Sequence, residues 1–153
     1  MAWQIVLYAL ASISPILELR ASIPLLSLAT SPENAFLIAV LVNFLAFFIG
    51  MFFLEVIHHK LLKWNWYKKK FEKRREKIIK KYHKKIEKYG YWFILLFVGI
   101  PLPFSGSYTG TLICWVFEMK KDKSFLFVSL GAILAGIMVY LGVKGAISLF
   151  LLV

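Results

Sequence analysis

Two clusters of polar residues stand inside stretches that are otherwise oil. In the first, Glu18 and Arg20 lie about eleven and nine residues from the end of an apolar block, with Pro24 four residues beyond Arg20. In the second, the run GIPLPFSGSYTGTL at 99–112 brings Pro101, Pro103, Gly106 and Gly110 together with the hydroxyls of Ser105, Ser107, Tyr108 and Thr109. A charge near the centre of a bilayer costs roughly 2.5–3.5 kcal/mol on insertion scales, so buried acids and bases mark functional sites. The chemistry this pattern offers is proton exchange at a carboxylate and anion contact at a guanidinium. A structural ion pair is the competing reading. On a regular helix residues 18 and 20 point about 200° apart, so only a broken backbone brings both to one cavity.

The second cluster has the same logic. Pro-Leu-Pro stops an entering helix by removing donors and fixing φ. Gly106 and Gly110 permit close approach of backbone. A helix restarting near Ser107 points free N–H groups and a positive dipole end into the break, which favours an anion. A well-packed turn with satisfied hydroxyls is the alternative.

Other polar residues are weaker candidates. Asn43 sits mid-block and either joins the site or bridges helices. Glu55, His58 and His59 form an interfacial cluster at the end of the same block, without a third spacing that would hold a metal. Glu118 reads as solvated, and the single cysteine, Cys114, as a packing residue. The only aspartate is Asp122, and neither a Ser-His-Asp arrangement nor a phosphate loop occurs. The expectation is a protein that is not an enzyme and has neither cofactor nor metal.

The elements that must position these residues follow from composition. Of 153 residues 60% are apolar and 18% charged, with a mean hydropathy of +0.73. A soluble domain is about half apolar and a quarter charged. Charge is concentrated: residues 60 to 88 hold 14 Lys/Arg and three acids, while the other 124 residues carry five of each sign. That pattern belongs to an all-α integral membrane protein with one basic segment. The N-terminus lacks the basic region of a signal peptide and is expected to be retained.

Four apolar blocks are separated by this segment. Residues 34–57 and 124–143 are long enough for single spans. Residues 3–30 and 90–119 are interrupted by Pro15, Glu18, Arg20 and Pro24, and by Pro101, Pro103, Gly106 and Gly110. Kinked spanning helices or re-entrant hairpins both fit these interruptions. Charge separates them for the third block, and the first follows by the match of its interruptions. With 58–89 in the cytoplasm, a spanning third block places Lys120, Lys121 and Lys123 outside; a hairpin returns them inside, as the positive-inside rule demands. The chain then divides into halves, 1–57 and 90–153, each a hairpin followed by a span and inserted in opposite senses, with an apolar tail after Lys144. Such inverted repeats with broken helices point to a transport site near the midplane.

The segment 58–89 reads as an amphipathic helix. Phe71, Arg75, Ile78, Tyr82, Ile86 and Tyr89 recur at three or four residues, and Lys69, Lys73, Lys77, Lys80 and Lys84 fall elsewhere. Anionic lipid headgroups are the expected partner; nucleic acid is not, because the stripe is tethered between membrane segments.

At this point the residues carry a resemblance. ELRASIPL at 18–25 resembles the E-x-R-G/A-x-I-P signature of the prokaryotic small multidrug export protein family. PLPFSGSYTGTL at 101–112 is similar to its second signature, P-x-P-x-x-G-x-x-T-G. The resemblance covers essentially the whole chain and implies two inverted re-entrant hairpins with an ion-coupled or lipid-translocating role, as in the DedA/VTT superfamily with which the family is grouped. The matching positions are Glu18, Arg20, Pro24, Pro101, Pro103, Gly106, Thr109 and Gly110; Ala21 stands where the family often has Gly.

Three functions follow as expectations. The first is a multi-pass cell-membrane transporter, proton- or ion-coupled, exporting a small or anionic substrate. The second is a flippase or scramblase for polyprenyl-phosphate or phospholipid headgroups. The third is a membrane adaptor using the basic helix. Two small halves enclose little volume, so a homodimer is also an expectation.

Overall fold

The computed structural model describes residues 2–14, 18–102 and 105–152, and the side chains of all these except 2, 59 and 150–152. Pro15 and Pro103, expected to punctuate the two breaks, lie outside the described residues. Among those described, every regular element is helical.

The first block is α1 (Ala2–Leu10), a 3-10 turn (Ala11–Ile13) and, after the break, α2 (Glu18–Ser27). Then α3 (Pro32–Phe52) starts with a full set of N-terminal signals: the Ser31 Oγ accepts from the Asn34 N–H at 3.4 Å, Pro32 occupies the first turn, and Glu33 meets the positive dipole end. The helix continues through a π-helical turn (Phe53–Ile57) into α4 (His58–Leu61). The amphipathic helix α5 therefore begins at Asn65 and runs to Tyr89, not from residue 58; residues 58–61 are the end of the preceding helix, because nothing there breaks the backbone ladder. Gly90, at φ +53°, makes the left-handed turn into α6 (Tyr91–Gly99).

Ile100, in extended conformation before Pro101, ends α6. After the break α7 (Ser107–Val116) runs back, and α8 (Lys121–Leu152) follows. The expected span 124–143 and the apolar tail after it lie in this one helix, since no proline interrupts residues 144–152. Among the described residues, Pro32–Ile57 and Lys121–Leu149 are the two helices long and apolar enough to cross a membrane.

Ion pairs tie down the two ends. Lys121 Nζ is 2.5 Å from Glu55 Oε1, and the Lys120 N–H donates to the Tyr91 hydroxyl at 2.9 Å. At the other end Glu33 Oε1 accepts from Lys144 at 2.9 Å and from the Tyr140 hydroxyl at 3.0 Å. Glu33 and Glu55 are separated by about 33 Å of helical rise, close to a hydrocarbon core. So α3 and α8 are antiparallel, and segment 91–119 leaves and rejoins the same end of the pair.

The core between them is apolar and tight. Ile23, Leu26, Ala39, Phe47, Ile94, Val98, Ile113 and Val128 are buried. Gly131 lets α8 lie against α6: a Cβ there would sit 2.8 Å from both the Leu95 carbonyl oxygen and Val98 Cβ. Along α5, Ile78, Tyr82 and Ile86 pack on this body, and Tyr82 meets the rings of Phe93 and Phe97 at 5.5 and 5.4 Å. Arg75 and Tyr89, expected in the same stripe, are exposed, as are Lys69, Lys73, Lys77, Lys80 and Lys84 on the outer face.

These pairings carry a prediction of sidedness. With Cys114 replaced by Ala, single cysteines at Lys70 and Lys121 will react with an impermeant maleimide from one membrane face, and a cysteine at Ser31 from the other. Labelling of 70 and 121 from opposite faces would contradict it.

Candidate functional site

Both breaks meet halfway along α3. Asn43 donates from Nδ2 to the Ser12 carbonyl at 2.9 Å and accepts at Oδ1 from the Ser107 hydroxyl at 2.7 Å. It is 1% exposed, so both bonds are made away from solvent. The Ser12 hydroxyl donates to Ser22 at 2.7 Å, which fastens the 3-10 turn to α2. One amide thus bridges the first break and the second. Asn43 makes both bonds of a bridge and is not among the residues that line the cavity described below.

From this level α2 and α7 run outward in opposite directions, each ten residues or about 15 Å long. Their N-termini face each other. Glu18 is the first residue of α2, and its carboxylate accepts from the first two amides of α7, Ser107 N–H at 3.2 Å and Tyr108 N–H at 3.4 Å. A carboxylate is the group that a helix N-terminus favours. These bonds are long beside the roughly 2.7–2.9 Å of tight charge-assisted ones, so the hold is loose. Glu18 also takes φ +44°, a left-handed conformation uncommon outside glycine and typical of functional sites. Glu18 and Arg20, both in the first turn of α2, line one cavity.

Arg20 reaches the same break. Its Nη2 donates to Ser105 Oγ at 2.8 Å, and the Ser105 hydroxyl lies 2.8 and 2.9 Å from the carbonyls of Ile100 and Leu102, one of which takes its proton. Backbone carbonyls left over where α6 ends are therefore met by a side chain. The Tyr108 hydroxyl donates to the Ile13 carbonyl, closing the contact from the other direction. Glu18 and Arg20 each take a hydrogen-bond partner from the opposite half of the chain.

Glu18, Arg20, Pro101, Gly106, Tyr108 and Thr109 line a cavity of about 1170 Å³. Ser105 and Gly110 stand behind it, buried, with Gly110 against Val98. Pro24 is interior to α2 and is not among the lining residues; its missing N–H leaves the Arg20 carbonyl without the usual i+4 donor. Pro103 lies outside the described residues.

Part of the wall was not foreseen. Ile49 of α3 and Phe53 and Leu54 of the π-helical turn contribute, and so do Trp66, Tyr67, Lys70, Phe71 and Arg74 of α5. The signal was present: 66, 70 and 74, with 67 and 71, are spaced by four and share one face of a helix. It was hidden because the lysines of that stretch read as a single surface facing lipid headgroups.

Of the Glu55, His58 and His59 cluster, the side chain of His59 lies outside those described. Glu55 pairs with Lys121. His58 is buried, with Nδ1 3.0 Å from the Tyr67 hydroxyl and its ring centroid 4.0 Å from Phe71 and 5.3 Å from Trp115. It fastens α5 and α7 to the end of α3. Burial pushes the Tyr67 phenol pKa up, so it stays neutral in this contact.

Gly106 has a steric reason to be glycine, since a Cβ there would fall on the Glu18 carboxylate. Gly106→Ala is expected to cost about 1–3 kcal/mol, read as a lower Tm in detergent, with Glu18→Ala restoring part of the loss. An unchanged Tm in the single variant would contradict the contact.

A family model described as "Putative small multi-drug export protein" matches residues 18–138. The match begins at Glu18 and takes in both sides of the second break. No curated protein and no solved structure matches the chain. The chain belongs to this small multi-drug export protein family, and its two long apolar helices accord with a membrane protein.

Proposed function

We propose that the protein is a multi-pass membrane exporter whose transport site is the junction of α2 and α7. Glu18 is its proton-accepting group, and Arg20 meets a polar or anionic part of the substrate. In this reading both broken segments turn back within the bilayer, so the chain is an inverted repeat of hairpin and span. The basic ends, 58–89 and 120–123, lie in the cytoplasm. Exposed lysines of α5, among them Lys69, Lys73, Lys77, Lys80 and Lys84, rest against anionic headgroups.

The observation that carries the reading is the loose carboxylate on the α7 amides, inside a cavity that Arg20 shares. Irregular backbone at membrane depth must be packed in protein or line a wet cavity, and here it does both. While Glu18 is ionised it occupies the amides of Ser107 and Tyr108. Protonation removes the charge that makes those bonds favourable. The α7 end and Arg20 then face the cavity without their counter-charge, and a substrate group takes the place of the carboxylate. Proton and substrate occupancy are linked through one residue, which is what ion coupling requires.

The test is flux in proteoliposomes. Wild-type protein is expected to move fluorescent solutes at a rate that changes several-fold when an imposed pH gradient is reversed. Glu18→Gln should abolish that dependence, and Arg20→Ala should depress the flux at every pH. Wild-type behaviour in both variants would overturn the assignment.

A further inference from the structure

We infer that the cavity selects amphipathic anions and that Lys70 and Arg74 of α5 are the selecting groups. This deepens the proposed transport reading and rests on it. The charge lining the cavity is lopsided: Arg20, Lys70 and Arg74 stand against one carboxylate, Glu18. With that carboxylate ionised the lining still carries three cations against one anion.

Lys70 and Arg74 are one helical turn apart and therefore share a face. Lys70 lies over the Trp66 ring at 4.8 Å, which holds it along the wall by a cation–π contact. The neighbouring acid Glu72 is turned to Lys68 on another face, at 4.0 Å, and Glu76 is not among the lining residues. Two like charges one turn apart repel, and an anion between them relieves that repulsion. The cations thus mark a course from α5 to Arg20 at the break. A concave site lined by one sign of charge concentrates ligands of the other.

The remaining wall is apolar and aromatic, with Phe53, Phe71, Tyr108 and Leu112. A volume near 1170 Å³ is at or above the upper range for small-ligand sites, roughly 300–1,000 Å³. The chemistry that fits is a carboxylate, sulfonate or phosphate on a sizeable apolar body. A lipophilic cation, the cargo that an export label invites, would meet three like charges there. The anionic group could arrive on a free organic solute or on a lipid headgroup; the recognition chemistry is the same.

The experiment uses the full-length protein in vesicles with four probes. Carboxyfluorescein is an aromatic anion, and ethidium an aromatic cation. NBD-phosphatidylglycerol and NBD-phosphatidylcholine are anionic and zwitterionic lipids. Wild-type protein should move carboxyfluorescein or NBD-phosphatidylglycerol above protein-free vesicles, and whichever moves identifies the source of the anion. Ethidium and NBD-phosphatidylcholine should stay at background. The double variant Lys70→Gln/Arg74→Gln should lower the anion flux by about tenfold or more. High salt should lower the wild-type flux and have little effect on the variant. Glu18-dependent movement of ethidium would overturn the anion class while leaving the transport site intact. Unchanged anion flux in the double variant would overturn the role of α5. No movement of any probe would overturn the transport reading and this inference together.

Discussion

The Glu18 carboxylate on the first amides of α7 is the contact on which the rest of the structure depends. A helix that begins within an apolar body leaves its first N–H groups without partners there. An acid brought from the other half of the chain answers that need. Several other features exist to let it arrive. Gly106 leaves room for the carboxylate. The left-handed backbone at Glu18 takes it out of regular helical geometry. Asn43 holds both breaks at one depth. Ser105, which accepts from Arg20, serves the carbonyls where α6 ends.

The same contact explains why the two long helices are antiparallel and clamped at their ends. Two half-length helices starting at mid-height and running in opposite directions need a frame that is continuous past both of them. The frame is α3 and α8, fixed by Glu55 with Lys121 and by Glu33 with Lys144. Exposed ion pairs contribute little stability, so their value here is registration. The aromatic contact of His58, Tyr67, Phe71 and Trp115 adds the third part, holding α5 across the cavity mouth. Site, frame and cover are therefore one connected arrangement.

Much of this was legible in the residues. Pro101 and the glycines around it announced a break after α6, since removal of a donor and extended backbone before proline are local effects. Glu18 and Arg20 stood out because charge inside an apolar block is costly. The depth at which the breaks meet was not legible, because it is set by Asn43, a residue whose partners are 31 and 64 positions away. The start of α5 was misjudged by several residues, since charge begins to accumulate at Lys60 before the backbone breaks at Trp64. Lys70 and Arg74 were merged with their neighbours, because which face of a basic helix turns inward is decided by packing of Phe71 and Tyr82, not by charge count.

A disulfide measures the central contact directly. Glu18→Cys with Gly106→Cys tests that proximity, since a Cβ at Gly106 would fall on the end of the Glu18 side chain and a disulfide forms only where Cβ atoms come within roughly 3.5–4.5 Å; Cys114 is the sole native cysteine. In membranes under mild oxidant the double variant is expected to form the bond, so that cleavage within residues 62–64 leaves two fragments joined until reductant is added. If the fragments separate without reductant while both thiols remain free, residues 18 and 106 do not meet and the account of the site is wrong.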